Sequence, residues 1–283
     1  MPSDRALRLC IAATSLCIAT TAACAPGPAE HEVLFKPVAG PACSADDDGV
    51  VTKAELPFVI GATARMRIGT HVAVDVEGAP GRGSARVWDL TRLAPDDEPS
   101  ALTLEDIDGQ WFARDFPSAD VAGPLAPGNA LLGPLALDDD GVKLLGSASS
   151  EEHPSTGETL LVYRDPVTLY PLPLELGAHA STETQAIDGV VDGIPFAVDD
   201  TYTVDVSAHG EVILPDLIAE NAVRVTIRLE RVPVAGQAVQ QVTHVFVTEC
   251  LGEVARFVSP FVPLEQTLDD DFPVADQVWR LSF

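Results

Sequence analysis

Apolar residues recur at every second position in three well-separated stretches of the chain. Val72, Val74 and Val76 alternate with Ala73, Asp75 and Glu77, and Tyr202, Val204 and Val206 alternate with Thr203, Asp205 and Ser207. The longest run sets Val223, Val225, Ile227 and Leu229 against Arg224, Thr226, Arg228 and Glu230. A period of two sends successive side chains to opposite faces of a strand, so this run predicts one apolar face on a core and one charged face in water. That is the pattern of an antiparallel sheet. Asp-Gly pairs at Asp108-Gly109, Asp140-Gly141, Asp188-Gly189 and Asp192-Gly193 separate such runs and suit the positive φ of tight hairpins. With 23 prolines and 21 glycines, long helices have little room, and only residues 100–106 and 214–222 read as short helical turns. The expected fold is mainly β: antiparallel sheets arranged as a sandwich or a curved open sheet.

The segment Leu56-Pro57-Phe58-Val59-Ile60-Gly61-Ala62-Thr63-Ala64 aligns with Leu172-Pro173-Leu174-Glu175-Leu176-Gly177-Ala178-His179-Ala180. The likeness reads either as two β units that begin on the same kind of strand or as chance in an Ala- and Leu-rich chain. On the first reading one unit covers residues 58–165 and a second covers 166–283; the two can equally form a single domain.

The N-terminus changes the picture from fold to location. Arg5 and Arg8 precede residues 9–23, which carry no charge, and this reads as a secretion signal over residues 1–23. The apolar stretch is about 15 residues long where a spanning helix needs about 20, and no other stretch is long enough to cross a bilayer as a helix. It closes on Thr21-Ala22-Ala23-Cys24, which resembles the bacterial lipobox, in which small residues precede a cysteine that is acylated and becomes the new N-terminus. The resemblance implies a lipid on Cys24, a tether over residues 24–32, and a protein held at the outer or inner membrane on its periplasmic or cell-surface side. Thr21 departs from the aliphatic residue usual there, and the junction also suits cleavage without lipidation.

Charge excludes some partners. The chain has 17 Lys+Arg against 43 Asp+Glu; without Arg5, Arg8 and Asp4 the mature form has 15 against 42, a net charge of minus 27. Nucleic acids and anionic lipid surfaces are therefore disfavoured. Cys10 and Cys17 lie in the signal, which leaves Cys43 and Cys250 in the folded part. In an oxidising compartment they read as one disulfide, worth about 4 to 5 kcal/mol for a closed loop of roughly 200 residues; the alternative is two buried thiols.

The strongest local motif spans Ser44-Ala45-Asp46-Asp47-Asp48-Gly49-Val50-Val51-Thr52-Lys53-Ala54-Glu55 and resembles an EF-hand calcium loop, within an EF-hand-like segment over residues 33–57. Calcium takes six to eight oxygens. The resemblance implies ligands at Ser44, Asp46, Asp48, the Val50 carbonyl, Thr52 (directly or through water) and a bidentate Glu55, with Gly49 at the sharp turn and Val51 at the apolar position that pairs two loops. Ser44 stands in place of the usual first aspartate, no second loop follows, and Pro57 ends the exiting helix. Weak, structural Ca2+ binding is the expectation, against an acidic solvated turn. Asp138-Asp139-Asp140-Gly141 lacks the closing glutamate and Asp269-Asp270-Asp271 lacks the glycine, so both read as turns.

No G-x-S-x-G, H-E-x-x-H or phosphate loop is present, and His31, His71, His153, His179, His209 and His244 are scattered. His244 falls in an alternating strand and reads as a satisfied sheet residue. The terminal Trp279-Arg280-Leu281-Ser282-Phe283 reads as a last sheet strand; an outer-membrane barrel needs longer uninterrupted strands. The segments 172–177 and 245–255 look like the strand patterns of poorly characterised bacterial exported β-rich lipoproteins, which implies an exported curved-sheet module. The expected function is a non-catalytic, lipid-anchored surface or periplasmic binding or structural protein, with an envelope or extracellular protein or glycan as partner. The alternative is an exported hydrolase with a site assembled from distant residues.

Overall fold

The computed structural model describes residues 43–92 and 97–283, so the expected signal over residues 1–23, the expected lipid site Cys24 and the expected tether over residues 24–32 lie outside the described residues. The strands are β1 (Thr63–Ala73), β2 (Ala79–Pro80), β3 (Arg86–Asp89), β4 (Glu98–Thr103), β5 (Glu105–Asp106), β6 (Val121–Pro124), β7 (Leu131–Leu137), β8 (Gly141–Ser149), β9 (Leu160–Pro171), β10 (His179–Val191), β11 (Ile194–Ile213), β12 (Ile218–Pro233), β13 (Val239–Thr248), β14 (Gly252–Val258), β15 (Val262–Pro263) and β16 (Val274–Leu281). All belong to one sheet, in the order β4-β1-β16-β14-β13-β12-β11-β10-β9-β8-β7-β6-β5, with β2, β3 and β15 attached beside that path. Every pairing is antiparallel except β3 on β11. Leu104 alone separates β4 from β5, the two ends of the path, so the sheet curls until it nearly closes.

The mainly antiparallel β reading holds. Tyr202, Val204 and Val206 lie in β11 and pair with Leu229, Ile227 and Val225 of β12, all turned toward the core. The residue 165/166 boundary falls inside β9, and strands from both sides of it share the sheet. The two repeat-like segments each lead into a strand at the equivalent position, Thr63 of β1 and His179 of β10, but those strands have different neighbours.

Four local expectations are corrected. Residues 100–106 form β4 and β5 rather than a helical turn, because β4 completes a six-residue ladder against β1. Residues 214–222 are a turn and the start of β12, drawn into register with β11. Asp108-Gly109 sits in a 3-10 turn capped by the Asp106 carboxylate, not in a hairpin. Asp188-Gly189 marks a bulge inside β10. Asp140-Gly141 and Asp192-Gly193 do form hairpin turns, the latter with φ of 51° and 74°.

The sheet is buried on both sides over β11–β13. On one side Val204, Val206, Val223, Val225, Val245 and Val247 pack beneath Val51, Leu56, Leu172 and Leu174. On the other, Trp88 of β3 and Phe272 cover Phe246 and Phe257. The charged face expected in water is covered at Arg224 and Thr226, 7 % and 1 % exposed, while Glu230 further along it is exposed as expected. Arg224 donates to the Val76 carbonyl and to Ser207, which is how a buried guanidinium is satisfied. β16 ends the chain as an inner strand between β1 and β14, with Trp279 buried.

Candidate metal centre

Residues 43–56 form a strap across the apolar side of β11–β13. Its one stretch of helix is a 3-10 turn, Lys53–Glu55, as Pro57 leaves no room for more. Val51 is fully buried and makes an antiparallel bridge to Leu174, with N–H to carbonyl distances of 3.1 and 2.9 Å in the two directions. The apolar position that would pair two calcium loops is therefore paired, but with a sheet-entry segment. Cys43 and Cys250 form a disulfide with Cα atoms 5.6 Å apart, tying the strap to the turn between β13 and β14.

That turn also supplies Glu249, which the sequence reading missed. Its carboxylate accepts from the backbone N–H groups of Asp46 and Asp47 at 2.9 Å and of Gly49 at 3.2 Å. Successive N–H groups converge on it because Asp47 and Gly49 take positive φ, 60° and 79°, which curls the loop into an anion-holding concavity. One oxygen each of Asp46, Asp48 and Glu249 then lie within 4.8 Å of one another. The Asp48 N–H donated to Asp46 favours that carboxylate's ionised form, but lost solvation and the nearby charges of Asp48, Glu55 and Glu249 outweigh it, and the Asp46 pKa is raised.

The expected ligands divide. Asp46 and Asp48 converge; the carboxylate that joins them is Glu249. One Glu55 oxygen is taken by the Thr52 N–H at 2.8 Å and the Thr52 hydroxyl at 2.7 Å, a helix-capping arrangement. Ser44 brings no carboxylate to the cluster. Three carboxylates suit a hard cation that prefers oxygen, with water and backbone carbonyls left to complete its shell. One signal could have found Glu249: it precedes Cys250, so the pairing with Cys43 carries it to the start of the loop.

Three further polar clusters lie among the described residues. His244 is fully buried, with Nδ1 at 3.0 Å from Thr226 Oγ1 and Nε2 at 2.9 Å from the Asp270 carbonyl. Burial pushes its pKa down to about 4. His179 faces Asp205 at 2.8 Å, but Asp205 also holds Arg228, which in turn grips Asp270. In the core, Asp200 accepts from Tyr163 and from Arg231, and burial raises the Tyr163 pKa well above its ordinary value. A hollow of about 220 Å³ beside the strap is lined by Asp47, Glu220, Asn221 and Glu249 among others, and by no histidine. Comparison with protein-family models, curated proteins and solved structures finds nothing that matches this chain.

Proposed function

We propose that this chain is an exported, lipid-anchored, non-catalytic binding or structural protein of the cell envelope, and that calcium at Asp46, Asp48 and Glu249 stabilises its N-terminal strap. The observation that carries the reading is the arrival of Glu249 at a loop whose first ligand position, Ser44, lacks a carboxylate. The Cys43–Cys250 bond suits an oxidising compartment, where extracellular calcium is abundant and a weak site is sufficient. The partner is an envelope or extracellular protein or glycan; the net charge of minus 27 expected for the mature form disfavours nucleic acid.

The test is a calcium titration of the melting temperature. For a dissociation constant of about 1 mM, calcium at about 10 mM stabilises the fold by about 1.4 kcal/mol. Asp48→Ala and Glu249→Gln lose that response and Asp139→Ala keeps it. Magnesium, which demands tight octahedral geometry, substitutes poorly. An equal response in the native chain and Glu249→Gln means general screening of an acidic surface and ends the calcium reading. For the anchor, Cys24→Ser moves the protein from the membrane to the soluble fraction; unchanged partitioning removes lipidation.

A further inference from the structure

The strap has no strand of its own and is fastened mainly at one place. Cys43 bonds to Cys250, the Cys250 N–H donates to the Glu55 carbonyl at 2.8 Å, and the neighbouring Glu249 holds three strap N–H groups. Beyond this turn the strap is held by Val51 and Leu56, which pack into the apolar cluster beneath it, by the Val51–Leu174 bridge, by Asn221 to the Asp47 carbonyl at 3.1 Å, and by the exposed Lys53–Asp139 pair. The same turn is where three carboxylates are held within 4.8 Å, so like charges push the strap from its seat while the disulfide, three residues from Asp46, restrains it. Cys43 is exposed and open to a reductant. Beneath lie Leu174 and the valines of β11–β13, an apolar surface that the strap keeps dry.

We propose that residues 43–56 are a redox-released cover: reduction of Cys43–Cys250 lets the strap lift and uncovers the apolar surface around Leu174, while the sheet beneath stays folded. The reductant is a dithiol. It passes two electrons and two protons to the bond, leaving a thiol at Cys43 and at Cys250, and is itself oxidised to a disulfide. Release depends on the strap's own contacts and does not require the calcium reading; calcium bound at Asp46, Asp48 and Glu249 would oppose it, so the test is made without calcium.

Hydrogen exchange on the folded, oxidised protein in EDTA, before and after dithiothreitol, reads the release directly and needs no refolding. Peptides covering 44–52 exchange at least about tenfold faster after reduction, while peptides 223–229 and 242–247 stay far more protected than the strap, and an apolar dye gains a binding surface. Cys43→Ser, purified as a folded protein, behaves like the reduced chain without added thiol. The proposal is overturned if reduction leaves the exchange of 44–52 unchanged. It is equally overturned if those strand peptides lose protection together with the strap, since the bond then holds the whole sheet and not a cover.

Discussion

Asp46-Asp47-Asp48-Gly49 and Asp138-Asp139-Asp140-Gly141 are the same four residues in the same order, yet they do different things. In the second turn the Asp138 carboxylate accepts from the N–H groups of Asp140 and Gly141, both at 2.9 Å, and with the backbone bond from the Asp138 N–H to the Gly141 carbonyl it closes the hairpin between β7 and β8. In the first, the Asp48 N–H likewise turns to Asp46, but those of Asp46, Asp47 and Gly49 turn toward Glu249, about 200 residues away in sequence, which lies with Asp46 and Asp48 in one cluster. The strap that carries the first turn also reaches the second: Lys53 pairs with Asp139 at 2.9 Å. Lys53 donates to Asp139 and lowers its pKa, while Asp46, among like charges, is raised. Identical local chemistry thus makes a locally closed turn where a hairpin continues on both sides, and a candidate cation corner where a distant carboxylate is brought in.

The largest test of that contrast is at the two glycines. A Cβ on Gly141, at φ of 153°, would lie 2.2 Å from the Tyr170 backbone carbonyl, whereas Gly49, at φ of 79°, has nothing within 4 Å. Gly141→Ala should cost about 3 kcal/mol or more and Gly49→Ala about 1 kcal/mol, read from urea unfolding. Equal costs would mean the turns are more alike than their surroundings indicate.

Acid blurs the comparison through a residue in neither turn. Burial, with Arg224 and Arg228 nearby, holds His244 at a pKa of about 4, although its hydrogen bond to the Asp270 carbonyl pulls the other way. Unfolded, the imidazole protonates near pH 6.5; folded, it protonates only near 4. The unfolded chain therefore binds more protons in that window, and stability falls as pH drops from about 6.5 to 4, by about 3 kcal/mol. Urea unfolding at pH 7, 5.5 and 4 measures the slope, and His244→Gln should remove this part of it. The two turns are best compared above pH 6.5.

The smallest effect is where the strap meets the second turn, at Lys53 and Asp139. Lys53→Met should leave the melting temperature almost unchanged in physiological salt, because both partners of the pair are solvated. What moves is Asp139: its carboxyl pKa, read by NMR, should rise toward the ordinary aspartate value, while that of Asp46 should not fall. A fall at Asp46 would show that the two turns share one electrostatic field.

Much of the sheet was legible because period-two patterning is local. The runs at 202–206 and 223–229 became β11 and β12 with the expected residues inward. The opposite face was misread at Arg224 and Thr226 because Trp88, Phe272 and the backbone at Val76 reach it from far along the chain. The helical readings at 100–106 and 214–222 failed for a related reason: weak local preference in short segments yields to ladder hydrogen bonds with β1 and β11.

The candidate site divides along the same line. Residue order alone indicated the acidic loop with its glycine, the apolar Val51, and Cys43 with Cys250 as a candidate pair, because each is a matter of residue type and count. Tertiary structure decided that Val51 meets Leu174, that one Glu55 oxygen caps Thr52, and that Glu249 joins Asp46 and Asp48. Those outcomes depend on which strand ends lie beside the strap, and in a sheet whose neighbours are set by long-range pairing, spacing along the chain carries no record of that proximity.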